Sequence, residues 1–194
     1  MLGDAPGRAM LAVSPRSFVR GFTLVELMIT LLIVSILATM ALPSFTDFIR
    51  RGQIRAASES VLNAMQLARS EAVKRNEPVV FILETREGSL APLVLASWAV
   101  RDGAGNAIQT SLESRQGEAE VAITLPPGAG SRLTFNGLGR VSDNVAGGGA
   151  TLTGITFSIP GIVLTRRIDV VAPGGQVRIC DPAVNADTDP RRCL

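Results

Sequence analysis

Between Glu26 and Asp47 the chain carries no charged residue. That leaves about 20 uncharged, mostly apolar positions, the length of one bilayer-spanning helix. The basic residues ahead of it, Arg8, Arg16 and Arg20, predict that the N-terminus stays in the cytoplasm and the remainder crosses. Glu26 is the odd residue. A carboxylate at the edge of hydrocarbon costs a few kcal/mol or more, and it calls for a cation. Nothing basic lies within the run. Scission between Gly21 and Phe22 would supply one, an α-amino group of pKa roughly 7.7–8. That amine could meet Glu26 of its own helix or of a neighbouring one. The competing assignments are a signal anchor and a signal peptide cleaved further on. For the latter, Thr39-Met40-Ala41-Leu42-Pro43 is a poor small-residue cleavage site.

The segment Gly21-Phe22-Thr23-Leu24-Val25-Glu26-Leu27 resembles the N-terminal signature of type IV pilins and pseudopilins. The resemblance implies cleavage after Gly21 by prepilin peptidase and methylation of the new amine of Phe22. It also implies a role for Glu26 in subunit assembly. Residues 1–21 are then a leader, outside the fold.

Two cysteines stand near the end of the chain, Cys180 and Cys193. On the far side of the membrane thiols oxidise and disulfides persist, so one bridge is expected between them. It would close a loop worth roughly 3 kcal/mol in the chain-entropy account.

Past the apolar run, Pro43 is expected to kink the helix. Beyond Gly52 the pattern becomes amphipathic. Ile54, Ala57, Val61, Met65, Ala68 and Ala72 recur every three or four residues, opposite Arg55, Glu59, Gln66, Arg69 and Lys74. Glu71 and Arg75 make an i,i+4 pair. Asn76, Glu77 and Pro78 should stop the helix. From residue 78 the period becomes that of strands: 79–83, 93–100, 119–125, 132–135, 152–159, 166–171 and 176–180, with Gly/Pro punctuation. The sequence therefore predicts an α+β chain. A long helix has a membrane-spanning half over 22–46 and an amphipathic half over 47–77. It packs on an antiparallel β domain, 78–194, built as two sheets.

Three later stretches extend the likeness: Leu133 to Val141, Ile155 to Ser158, and Arg167 to Val171 with Gly174 to Cys180. In that order and spacing they resemble the pilin domain of the GspH/FimT family. The resemblance implies a minor pilin of a type IV pilus, with other pilins and the inner membrane as partners and its domain in the periplasm. A minor pseudopilin of a type II secretion system shares the same features, as does a DNA-binding minor pilin of natural transformation. In some family members a Gly-Arg-x-Arg motif takes part in DNA capture. Here the matching residues are Gly175-Gln176-Val177-Arg178, so the first arginine is missing. Arg191 and Arg192 could join Arg178 on phosphates. Asp181, Asp187 and Asp189 in the same tail cancel much of that field.

Catalysis is not expected. The chain has no histidine and no tyrosine, which removes a Ser-His-Asp set and histidine metal ligation. Its glycine-rich pieces lack the Lys-Ser/Thr of a phosphate loop and suit turns. The tail aspartates have oxygen ligands suited to calcium, but not the spacing of an EF-hand loop, and a polar tail is expected instead. No cofactor and no metal are expected.

Overall fold

The computed structural model describes residues 21–87, 93–111, 121–144 and 149–193, without the side chains of 40–43, 86 and 96. Arg8, Arg16 and Arg20, the start of the strand expected at 119, Gly147 and Gly148 lie outside the described residues. So does the side chain of Pro43, and its kink remains an expectation. The chain divides into two compact units, residues 1–42 and 43–194. A single helical segment, α1 (Leu24–Arg75), contributes to both.

In the first unit α1 begins two residues later than the apolar pattern suggests. Thr23 is the reason. Its hydroxyl oxygen accepts from the Glu26 amide at 3.2 Å and its carbonyl from the Leu27 amide at 3.1 Å. It therefore caps the helix and stands outside it. Hydroxyl side chains further along bond back to the preceding turn. Thr30 donates to the Leu27 carbonyl at 2.9 Å, Ser35 to the Leu31 carbonyl at 2.7 Å, and Thr39 to the Ile36 carbonyl at 2.7 Å. These three hydroxyls therefore have acceptors within the helix and do not depend on water. Among the described residues no single straight helix is long and apolar enough to cross a membrane, although Leu24–Thr39 and Ser44–Arg75 together meet that test.

In the second unit the expected stripe turns inward. Ile54, Val61, Met65, Ala68 and Ala72 are buried and Ala57 half-buried. Burying each large member of this row contributes about 1.5–3 kcal/mol. Glu71 bonds Arg75 at 2.8 Å, as its spacing predicts, and also Lys74 at 3.2 Å. The helix stops at Asn76, whose φ of 51° is left-handed. The Glu77 amide reaches the Ala72 carbonyl and the Asn76 amide that of Val73, both at 3.3 Å, a Schellman ending.

The strands that follow are β1 (Val79–Arg86), β2 (Val94–Asp102), β3 (Ala107–Thr110), β4 (Ala122–Thr124), β5 (Arg132–Phe135), β6 (Val141–Ser142), β7 (Gly154–Ser158), β8 (Arg166–Val171) and β9 (Gln176–Cys180). All pairing between them is antiparallel, in the order β6-β5-β1-β2-β4-β7-β8-β9, with β3 beside β2. The expected two sheets are thus one. Beyond β1, the free edge of β2 is divided. Ala99 to Arg101 pair with β3, while Val94 alone pairs with Ala122 of β4. Two hydrogen bonds of 3.0 Å, from Leu95 to Val121 and from Ile123 to Leu93, hold that narrow seam.

The sheet curls until its outermost strands meet at their turns. The Val141 amide of β6 donates to the Pro173 carbonyl in the β8–β9 turn at 3.2 Å. Gly175, at φ 69°, sits so close to Gly139 that a Cβ would lie 2.4 Å from its carbonyl oxygen. Arg69 on the helix fastens both turns, with Nε donating to the Gly139 carbonyl at 3.0 Å and Nη2 facing that of Gly174 at 3.4 Å. Inside lie Phe81, Leu133, Phe135, Ile155, Phe157 and Ile168, all fully buried with the helix stripe. Trp98 is buried too, and its indole N–H reaches the Ser60 hydroxyl at 3.0 Å.

Candidate functional site

Two regions hold the residues singled out by sequence. At the N-terminus, Gly21, Phe22 and Glu26 are all exposed, Phe22 by 83%. A Cβ added to Gly21 would meet no atom within 4 Å. Glu26 occupies the third helical position, where Thr23-x-x-Glu26 has the pattern of a capping box. A carboxylate there gains about 0.3–1 kcal/mol from the helix dipole. In hydrocarbon that gain is smaller than the cost of the charge, about 2.5–3.5 kcal/mol at mid-depth on the mildest scale. Helix capping therefore accounts for Glu26 in water and not in lipid. Around it the helix exposes Leu24, Val25, Leu27, Met28, Ile29 and Leu31, each by more than half.

At the other end, Cys180 and Cys193 form the expected disulfide, with Cα atoms 5.1 Å apart. The tail returns to β9 in parallel. Asp181 bridges Arg192, and the Asp181 amide donates to the Arg191 carbonyl at 2.7 Å. This folding brings the tail arginines onto the aspartates between the two cysteines. Arg191 grips Asp189 through both carboxylate oxygens, at 2.7 and 3.1 Å. That grip, with the Arg191 amide as a further donor, holds the Asp189 carboxyl down at about 2 and raises the Arg191 guanidinium. Arg192 pairs with Asp187, and Asp181 is held by Arg166 at 3.1 Å. Arg178 on β9 is half-buried, and its Nη2 donates to the Arg192 carbonyl at 3.2 Å. Of the three tail arginines, two are neutralised locally and the third is tied to the tail's own backbone. The three tail aspartates are engaged by arginines in the same way.

Among the described residues, one group has ligand atoms close enough for a metal: Asp169, Cys180 and Cys193, all within 4.8 Å. Its two sulfurs are bonded to each other, and a disulfide lacks the thiolates that bind metals. Asp169 is buried and bonded to Arg167 at 2.6 Å.

Two residues escaped the sequence reading. The Thr23 cap was legible from the spacing of Thr23 and Glu26. Arg69 was not, because its partners lie 70 and 105 residues away.

Comparison with known proteins matches these two regions separately. Residues 16–42 fit the prokaryotic N-terminal methylation motif, and residues 57–192 fit the family described as type II transport protein GspH. A fimbrial protein of Pseudomonas aeruginosa is 30% identical over 115 residues, covering 59% of this chain and 73% of the relative. A type IV major pilin protein of Neisseria gonorrhoeae is 51% identical over 45 residues, 23% of this chain and 26% of that one. Among solved structures, the type IV minor pilin FimU of Pseudomonas aeruginosa aligns with TM-score 0.44 and 17% identity, covering 68% of this chain and 91% of that one. With the greater part of its length matched, from the buried helix stripe to the disulfide-closed tail, the chain belongs to the GspH family.

Proposed function

We propose that the chain is a minor pilin of a type IV pilus, working as a structural subunit. Prepilin peptidase removes residues 1–21 and the amine of Phe22 is methylated. The mature subunit waits in the inner membrane, its N-terminus cytoplasmic and its β domain periplasmic. Assembly with other pilins then draws the helix from lipid into a fibre, where Glu26 meets the amine of a neighbouring subunit. The observation that carries this reading is the exposed apolar helix with one carboxylate in its first turn. Such a surface needs either lipid or other helices around it. N-terminal sequencing of protein from cells that contain the peptidase tests the processing. The sequence should begin at a methylated Phe22, and a start elsewhere would overturn the reading.

A second reading, a minor pseudopilin of a type II secretion system, is favoured by the family's description, whereas the fimbrial relatives favour a pilus. Loss of pili against loss of protein secretion in a deletion strain separates them. DNA binding by Arg178, Arg191 and Arg192 is the weakest reading, given the pairing of the last two with aspartates. A gel shift across a salt series, unchanged when the three are replaced, would end it.

A further inference from the structure

We infer that β9 accepts an extended, acidic polypeptide segment as an added strand. Antiparallel pairing turns alternate residues of a strand toward opposite neighbours. The Val170 amide of β8 donates toward β7, to Thr153 at 3.0 Å. Its neighbours Asp169 and Val171 therefore face β9, where their partners are Arg178 and Gln176. The backbone groups of Val177 and Ile179 point the opposite way, to the outer edge. The chain itself shows that the line of this edge, just past β9, accepts a backbone bridge. Asp181, next in the same phase, receives the tail there in parallel, bonding Arg191 at 2.7 Å. The tail then goes no further, because residues 187–191 are occupied by turns.

Beside this edge, between β9 and α1, lies an open groove of about 720 Å³. It is lined by Arg69, Val73, Lys74, Val177 and Arg178 among others, and no acidic residue lines it among the described residues. Arg69 and Lys74 are engaged with a carbonyl and with Glu71, while Arg178 keeps a buried Nε with no hydrogen-bond partner. Val73 adds an apolar wall, exposed by 52%. An alternating row of backbone donors and acceptors selects an extended peptide, and the cationic lining selects carboxylates on it. A duplex would use the same charges without needing the strand edge.

The test uses the full chain in detergent micelles, with amide exchange read residue by residue by NMR. The probe is an acetylated, amidated pentapeptide alternating valine and glutamate, at millimolar concentration. Exchange at Val177 and Ile179 should slow at least ten-fold, and lysine in place of glutamate should weaken binding at least five-fold. The same peptide N-methylated along its backbone should give no protection. Val177→Pro removes an outward N–H, a change edge strands tolerate, together with part of the packing of Val177 on the core, and should abolish binding while the β8 amides stay protected. If that variant loses its fold, the N-methylated peptide on the unaltered chain decides. No slowing at Val177 and Ile179, equal slowing by the N-methylated peptide, or duplex DNA protecting this edge in Val177→Pro as in the parent would each overturn the proposal.

Discussion

Replacing Arg69 by methionine keeps most of its aliphatic stem and removes the guanidinium that fastens the two turns. The Nε bond to the Gly139 carbonyl is 3.0 Å long, well within hydrogen-bond range, while the bond to Gly174 is longer, 3.4 Å, and weaker. A hydrogen bond from a charged donor is worth about 1.5–3 kcal/mol, and Arg69 is half-buried, so the lower end applies. For a domain of this size about 1.5 kcal/mol lowers the melting temperature by roughly 3–6 °C. Circular dichroism on the mature chain in detergent measures it. A local mark should accompany the shift: the Val141 amide, bonded to Pro173 beside the clasp, should exchange faster than the amides of β7. Gly175→Ala attacks the same junction from the other side. It should cost more, since the φ of 69° disfavours any side chain and the added carbon meets a backbone oxygen at 2.4 Å. If Arg69→Met melts within about 1 °C of the parent and Val141 exchange is unchanged, the helix does not hold the sheet ends together.

Reducing the Cys180–Cys193 bond, with its 13-residue separation, should destabilise the domain by roughly 3 kcal/mol, seen as an earlier urea midpoint; coincident curves would show that the tail's own contacts suffice. Asp189 is held below its ordinary carboxylate range, so its contribution is complete above the unfolded value near 3.9 and is lost as pH falls toward about 2. Arg191 resonances should shift in that acid window, and Asp189→Asn should remove the transition. Glu26→Leu should leave melting of the β domain unchanged while lowering incorporation into fibres at least ten-fold; equal incorporation, scored by immunoblot of sheared fibres, would remove the electrostatic account of assembly.

The helix was legible because burial imposes its period on residues 54–72, and because Asn76 before Glu77-Pro78 states where it must end. Seven strands were legible from apolar runs that each face the core. The other two carry little of that signal. Ala107–Thr110 is almost wholly exposed at an edge, and Val141–Ser142 is too short to have a period. The single sheet was missed because one pair, Val94 with Ala122, decides it, and no local pattern marks a seam so narrow. In the tail, sequence brought the charges together but could not match them. Which aspartate meets which arginine is settled by the return of the tail to Asp181, just past β9.

The back-bonded hydroxyls of Thr30, Ser35 and Thr39 bear on how the N-terminal rod changes surroundings. Each proton already has an acceptor one turn away along its own axis. Moving the rod from one greasy setting to another therefore breaks no polar bond at these positions and demands no replacement. On the proposed route from lipid to fibre, close fit would then choose the destination, with the single acid in the first turn left to set the stagger.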